Sequence, residues 1–166
     1  MQYNWLPHSL LGDTLTTGTL CNRGKQYAEI YASTFGWARA FPTKKKSEAH
    51  ETLSLLFKRG GGRPKMIMYG SKEQTKSDFK KKPKEVDCHQ KQIEQYSPWQ
   101  NTAEGVTPEL KKGASQKIIQ TDSPKRVWDH CLELKACIRS CTAHDIYIFD
   151  DETLEAVIEG ETSNIS

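Results

Sequence analysis

Three β-favouring segments near the start of this 166-residue chain constrain its fold more than any other feature. Residues 11–20 are rich in Thr and Leu, residues 27–34 alternate between two faces, and residues 37–41 follow a Phe-Gly turn. Alternation with a period of two, interrupted by short turns, is typical of adjacent strands in a sheet. The pattern therefore predicts a three-stranded meander. We expect Pro42 to end it, because proline has no N–H to donate to a ladder.

Helical spacing dominates the rest of the chain, with two short strand-like runs inside it. The helical segments are residues 47–57, 75–86, 108–119, 124–140 and 152–158. The strand-like runs are residues 65–68 and 88–94. Ser47 and Ser123 are expected to be N-caps, and the glycines at 60–62 to end the first helix. Pro83 must bend or end the helix in which it lies.

The order of these elements predicts an α/β domain in which one sheet is flanked by helices. A chain of this length suits one compact core better than two. We expect residues 1–122 to form the core and residues 123–166 to form a helical extension packed on it. Five side chains of the helix at 124–140 are expected on its buried side: Trp128, Leu132, Leu134, Ala136 and Ile138.

Basic residues are clustered along the chain, whereas acidic residues gather near its end at 150–161. The basic clusters are residues 44–46, 80–84, 111–112 and 125–126, and the net charge is +3 with His neutral. Such clusters suit a polyanionic partner such as nucleic acid, and they also suit a solvated lysine-rich surface. No run approaches about 18 apolar residues, so no membrane span is predicted.

The chain has five cysteines, an odd number, and its first residues lack the pattern of a signal peptide. Both features favour reduced thiols in an intracellular protein. His130, Cys131, Cys137, Cys141 and His144 raise the question of a zinc site, but no pair has C-x-x-C spacing. Small buried side chains are the preferred interpretation of these cysteines.

Two carboxylates and one tyrosine mark the positions where a metal-dependent site is expected. Asp13 lies on the first predicted strand, and Glu104 lies where the helical second half begins. Two-metal phosphodiester chemistry needs carboxylates from separate elements, which hold Mg²⁺ or Mn²⁺ about 4 Å apart. A third carboxylate is expected directly after the strand at 65–68, but Tyr69 occupies that position.

These positions, together with their neighbours, resemble the catalytic core of copia-type retrotransposon integrases, which belongs to the ribonuclease H-like superfamily. The matching segments are Asp13-Thr14, Tyr69-Gly70-Ser71-Lys72-Glu73 and Ser97-Pro98-Trp99-Gln100-Asn101-Thr102-Ala103-Glu104. Glu104 lies 35 positions after Tyr69, close to the family's spacing between its last two ligands. The helix that contains Trp128 and the segment 153–161 are similar to the tryptophan helix and closing segment downstream of such cores. The resemblance spans roughly residues 11–166.

The resemblance implies a ribonuclease H-like mixed sheet of about five strands flanked by helices. It also implies Mg²⁺- or Mn²⁺-dependent 3′ processing and strand transfer on DNA. Asp13, Tyr69 and Glu104 then occupy the three catalytic positions, with Asp13 and Glu104 as the metal ligands. Retrotransposon ends and target DNA would be the partners, and a homo-oligomer is compatible with the resemblance. A nuclear location follows from the family's role in DNA integration.

Three residues near the glutamate are assigned to DNA binding by the same resemblance: Asn101, Lys111 and Lys112. Asn101 would position the start of the glutamate helix. Lys111 and Lys112 are placed like the helix lysines that contact DNA in such cores.

Two departures from the family pattern predict a degenerate active site. The phenol of Tyr69 has a pKa near 10, so it brings no charge to a dication at pH 7. Inside a helix, Pro108 would cost about 3 kcal/mol or more. A start with Thr107 as N-cap is cheaper, and it would leave Glu104 in a loop. Glu73 lies four residues beyond Tyr69, too far along the chain to replace the missing ligand.

Two other functions remain open on the sequence. The chain is alternatively a non-catalytic nucleic-acid-binding module that keeps the basic face. It is alternatively a scaffold protein or a decayed transposon remnant that folds poorly, which the glycines at 60–62, Pro83 and Pro108 favour.

Overall fold

The computed structural model describes residues 9–33, 37–59, 64, 66–69, 88–93 and 102–141, and for residues 59 and 102–104 only the main chain. Five strands lie in this part: β1 (Ser9–Thr16), β2 (Tyr27–Ser33), β3 (Ala38–Thr43), β4 (Met66–Tyr69) and β5 (His89–Gln92). The α-helices are α1 (Ala49–Arg59), α2 (Thr102–Gln120) and α3 (Trp128–Cys141). Short 3₁₀ turns at Lys46–Glu48 and Lys125–Val127 precede α1 and α3.

The strands form one mixed sheet in the order β3-β2-β1-β4-β5. β2 pairs antiparallel with both β1 and β3, which confirms the predicted meander. β4 pairs parallel with both β1 and β5. The predicted α/β fold, a mixed sheet of five strands flanked by helices, is therefore confirmed.

The two faces of the sheet are covered by different helices, and alternation along β1 assigns its side chains to each. Leu11 and Leu15 join the cluster that α2 and α3 cover, together with Ile30 and Ile93. We call this side the helix-pair face. Leu10 joins the opposite cluster, which α1 covers and which is called here the α1 face. Successive β residues point to opposite sides, so the direction of every strand side chain follows from these clusters.

Pro42 does not end the third strand as predicted, because it lies inside β3 and pairs with Ala28. Within the described sheet β3 is an edge strand, and proline is tolerated there when its nitrogen faces away from the neighbouring strand. The first strand is also shorter than predicted, since it ends at Thr16.

Neither predicted serine N-cap is observed. Ser47 lies inside the 3₁₀ turn Lys46–Glu48, whose N-cap is Lys45. The turn before α3 has Pro124 as its N-cap and no side-chain cap hydrogen bond, while the hydroxyl of Ser123 lies 2.7 Å from that of Thr121. Both α-helices therefore begin later than predicted, at Ala49 and Trp128, because a 3₁₀ turn opens each of them.

The buried side of α3 differs from the predicted one at two residues. Trp128, Leu132 and Ala136 are buried, as spacing by four residues requires. Leu134 and Ile138 are 45% and 43% exposed, because they lie on the other side of the same helix. The predicted helices at 75–86 and 152–158 lie outside the described residues.

All five cysteines are free thiols. Of the three on α3, only Cys141 is buried, Cys131 is half-buried and Cys137 is exposed, so the expectation of small buried side chains holds only in part. Among the helices that the structure describes, none has the length and apolar character that a membrane crossing requires.

Candidate functional site

The end of β4 lies beside the middle of β1, the central strand of the sheet. In their parallel register Gly12 pairs with Tyr69, so Asp13 lies one residue beyond this pair on β1. Alternation places the Asp13 side chain, which is half-buried, on the helix-pair face with Leu11 and Leu15. The Tyr69 side chain lies on the α1 face instead. The two positions are thus neighbours in the main chain, but their side chains point to opposite sides of the sheet.

Tyr69 is a buried core residue of the α1 face. It clusters with Leu10, Ile67 and Cys88 and is 4% exposed. Burial raises the pKa of its phenol above the usual value near 10. The ring is therefore neutral at pH 7 and contributes apolar packing rather than charge.

Glu104 belongs to helix α2, contrary to the prediction of a loop. α2 runs from Thr102 to Gln120 and contains Pro108 in its interior. Val106 and Leu110, on either side of the proline, are both buried in the helix-pair cluster. Full burial of such side chains contributes about 1.5–3 kcal/mol each, enough to offset the roughly 3 kcal/mol that an interior proline costs.

Helix α2 packs against β1 and β2, on the face that also carries Asp13. The main chain of Glu104, in the first turn of α2, is therefore on the same side of the sheet as the Asp13 carboxylate. The Glu104 side chain and the whole of Asn101 lie outside the described residues, so their assigned roles stay predictions.

The two lysines predicted to contact DNA lie on different flanks of α2, and both are exposed. Lys111 follows Glu104 by seven residues, which is close to two full helical turns and puts both on one flank. Lys111 lines a groove with Leu15 and Trp128. Lys112 is rotated away and lines a second groove with Lys135 and Arg139 of α3.

An ion pair that the sequence did not reveal ties the β1–β2 connection to α3. Arg23 Nε donates to Asp129 Oδ2 at 2.5 Å, and Arg23 Nη2 donates to Glu133 Oε1 at 3.0 Å. The Asp129 side chain is 1% exposed. Burial alone would raise the pKa of Asp129, but hydrogen bonds from Arg23, Cys21 and the His130 N–H, together with the charge of Arg23, outweigh it and the net pKa is lowered.

Two further hydrogen bonds join the β1–β2 connection to the start of α3. The indole Nε1 of Trp128 donates to the Thr19 carbonyl at 2.8 Å, and the Asn22 N–H donates to the Arg126 carbonyl at 3.0 Å. Only the three-dimensional structure could reveal these partners, because more than 100 positions separate the two segments in the chain.

The described residues at the junction of β1 and β4 are a poor set of ligands for a divalent metal. Asp13 is a hard oxygen ligand of the kind that Mg²⁺ and Mn²⁺ prefer. Tyr69 is neutral, buried and directed to the opposite face. Asp13 and Tyr69 together therefore do not fit a two-metal site.

The cysteines of α3, for which the sequence raises the question of a zinc site, include one close pair. Cys137 Sγ and Cys141 Sγ lie 3.8 Å apart, one helical turn from each other. Among the residues that the structure describes, no group of three or more His, Cys, Asp or Glu side chains is placed to hold a metal ion. His144 lies outside that part of the chain.

The fold is similar to that of several solved retroviral structures. A chain of the simian T-cell lymphotropic virus intasome in complex with PP2A regulatory subunit B56 gamma has a TM-score of 0.70 and 16% identity. That match covers 100% of this chain and 59% of the intasome chain, so this chain spans less than two thirds of its length. The catalytic core domain of BIV integrase has a TM-score of 0.66 and 12% identity, over 92% of this chain and 94% of that chain.

The HTLV-2 integrase catalytic core domain in complex with magnesium, in its dimeric form, is similar to the same degree. Its TM-score is 0.66 at 11% identity, over 96% of this chain and 100% of that chain. No protein-family model and no curated protein matches the sequence. At such low identity these similarities show the fold alone, which is the ribonuclease H-like fold of integrase catalytic cores.

Proposed function

We propose that this chain is an integrase-like core of the DNA integration family, derived from a copia-type retrotransposon, that has lost strand-transfer activity. The observation that carries the proposal is the placement of the three positions on the fold. Asp13 is on β1, Tyr69 ends the adjacent parallel strand β4, and Glu104 is in the first turn of α2. β1 pairs with β4, and α2 packs against β1, so the three positions come from separate elements that are in contact with β1 or part of it.

The loss of catalysis rests on Tyr69. A two-metal centre must neutralise charge on both the attacking and the leaving oxygen, which takes carboxylates from several elements. Tyr69 offers a neutral ring that faces α1 instead. Mg²⁺ is present in the HTLV-2 core, and in this chain we propose weak binding of Mg²⁺ or Mn²⁺ at most, through Asp13 and Glu104.

The partner that best suits the described surface is DNA. Lys111 and Lys112 of α2 are exposed, and Lys125 and Arg126 are exposed at the start of α3. When such side chains neutralise phosphates, counterions are released from the DNA, and the binding therefore weakens as the salt concentration rises. Retained DNA binding without catalysis is the function that this combination supports, and Asn101 keeps its proposed part in DNA binding, at the start of the glutamate helix.

Further features of the proposal follow from the family. HTLV-2 cores occur in dimeric and trimeric forms, and a homo-oligomer is proposed for this chain as well. A nuclear location is proposed from the task of DNA integration. Residues 1–122 are proposed as the catalytic-core unit, and residues 123–166 as its helical extension.

Salt-dependent binding to duplex DNA tests the proposed function. We expect the logarithm of the affinity to fall linearly with the logarithm of the salt concentration, with a slope of about −0.9 for each phosphate contact. Fluorescence anisotropy between about 50 and 200 mM salt measures that slope. A flat response, or no binding at low salt, would exclude DNA binding and leave a scaffold protein or a decayed remnant.

A cooperative thermal transition, followed by circular dichroism, separates those two remaining functions. A scaffold protein must unfold in such a transition, and a decayed remnant that folds poorly does not.

A further inference from the structure

An open groove lies beside α2, between the β1–β2 connection and the start of α3. It has a volume of about 240 Å³, and Leu15, Ile118, Ile119 and Trp128 form much of its apolar lining. This volume is just below the usual range of about 300–1,000 Å³ for small-molecule sites. Trp128 is held in place by its hydrogen bond to the Thr19 carbonyl, so this wall of the groove is fixed.

The rim of the groove is positively charged. Lys111 lies on one side and Lys125 on the other, and none of the residues that line the groove is acidic. Neither lysine has an ion-pair partner within the described part of the chain. Ile119 is 78% exposed, which is unusual for so large an apolar side chain beside an apolar groove. An apolar floor with a cationic rim suits a segment that is both apolar and acidic.

This chain contains such a segment, at residues 150–161, outside the described residues. It carries six carboxylates and no Lys or Arg: Asp150, Asp151, Glu152, Glu155, Glu159 and Glu161. Leu154, Val157 and Ile158 have the spacing that puts three apolar side chains on one helical face. We propose that this acidic segment docks in the groove of its own chain, with the apolar residues on Ile119 and Trp128 and the carboxylates on Lys111 and Lys125.

The chain is long enough for this contact. α3 extends about 20 Å from Trp128, at the groove, to Cys141, where the described part ends. The nine residue steps from Cys141 to Asp150 span up to about 30 Å when extended. The acidic segment therefore reaches back along α3 to the groove without a second copy of the chain.

Docking has a consequence for any anionic ligand of Lys111. Once the segment covers that ammonium group, a phosphate can contact it only after the segment leaves. Docking would thus weaken DNA binding wherever Lys111 is a contact, but the docking itself does not depend on the proposed function.

Zero-length carbodiimide cross-linking of the full chain, followed by mass spectrometry, tests the proposal. This reagent joins an amine to a carboxylate only when the two groups are in ion-pair contact. We expect cross-links from Lys111 or Lys125 to carboxylates of residues 150–161. Ile119→Ser should lower their yield roughly tenfold, because it removes apolar contact from the groove. Leu134→Ser is the matched control, since Leu134 is also an exposed helix residue but lies outside the groove.

A mixture of isotopically labelled and unlabelled chains shows whether the cross-links form within one chain. Links confined to one chain, and lost in Ile119→Ser but not in Leu134→Ser, would support the proposal. Links between two chains would overturn it in favour of an interface between copies. An absence of these links, or links that Ile119→Ser leaves unchanged, would overturn it altogether.

Discussion

Gly12 and Tyr69 are partners in the parallel pairing of β1 and β4, and this register turns the Tyr69 ring away from the Asp13 carboxylate. Asp13 follows Gly12, so its side chain lies on the helix-pair face, whereas Tyr69 packs with Leu10 and Ile67 on the α1 face. The neutral phenol of Tyr69 and the direction of its side chain both oppose a metal site. A change of residue type alone is therefore not expected to restore one.

Tyr69→Asp is predicted to destabilise the fold without restoring strand transfer. The substitution removes a large buried ring and places a carboxylate among apolar side chains of the α1 face. We expect the free energy of unfolding to fall by about 3–5 kcal/mol, as in other large-to-small core substitutions. Urea unfolding measures the loss, and a gain of strand transfer by this variant would contradict the prediction.

Tyr69→Phe is the matched control, because it keeps the ring and removes only the hydroxyl. The expected loss is no more than about 1.5 kcal/mol, the usual contribution of one hydrogen bond. If the two variants were equally destabilised, packing of the ring would not be what Tyr69 contributes.

Asp129→Asn is predicted to destabilise the chain at neutral pH and to flatten its pH dependence. The pKa of Asp129 in the folded chain is below its ordinary value of 3.8, because its hydrogen bonds, the largest of them from Arg23, and the charge of Arg23 together outweigh the effect of burial. The ionised carboxylate therefore stabilises the fold above about pH 4, and this stabilisation is lost as the pH falls through the lower folded-state pKa. We expect a loss of about 1–3 kcal/mol at pH 7, measured by urea unfolding.

The effect of Asp129→Asn should shrink when the same unfolding experiment is repeated at acidic pH, since the unmodified carboxyl group then becomes protonated too. Glu133→Gln is the control, because Glu133 also accepts from Arg23 but is 38% exposed. Exposed ion pairs contribute about 0–1 kcal/mol. A larger loss in Glu133→Gln than in Asp129→Asn would contradict the conclusion that the buried Asp129 is the more important partner of Arg23.

Pro108→Ala is predicted to stabilise the chain by about 1–2 kcal/mol. Pro108 lies inside α2, and alanine at this position restores the N–H that proline lacks. It also removes the clash that an interior proline ring makes with the carbonyl four residues before it. The gain is smaller than the full cost of an interior proline, because alanine also gives the unfolded chain more freedom. Ser115→Ala, at another exposed position of α2, should change stability by less than about 0.5 kcal/mol. Thermal unfolding that shows no gain in Pro108→Ala would contradict the prediction.

Lys111→Gln is predicted to weaken DNA binding more than Lys112→Gln does. Lys111 follows Glu104 by about two helical turns and lines the groove with Leu15 and Trp128, while Lys112 lines the groove with Lys135 and Arg139 of α3. Loss of one phosphate contact should reduce the salt slope by about 0.9. Lys58→Gln, at the exposed end of α1, should leave the slope unchanged. Equal effects of all three substitutions would indicate binding by general charge rather than through Lys111.

The meander was predictable because side chains along residues 27–34 alternate between the two faces of the sheet, and this alternation is a local property of the sequence. The direction of Tyr69 was not predictable, since it depends on the register between β1 and β4, two strands more than 50 positions apart in the chain. Registers between distant strands are set by packing, which single-sequence patterns do not contain.

Tertiary packing also explains one wrong prediction, at Pro108, and one ion pair that the sequence did not reveal. The interior position of Pro108 was rejected from local cost alone, but Val106 and Leu110 bury apolar surface on both sides of it. The Arg23–Asp129 ion pair could not be predicted from the sequence, because a single arginine in a turn and a single aspartate at a helix start are common surface residues.

The most direct test of lost catalysis is disintegration of a branched DNA substrate by the purified, unmodified chain in the presence of Mn²⁺. Asp13→Asn serves as the background, because it removes the one described carboxylate of β1 that faces α2. We predict equal product from the two proteins, at the level of DNA alone. Robust product from the unmodified chain that Asp13→Asn abolishes would contradict the loss of the site and establish an active integrase core.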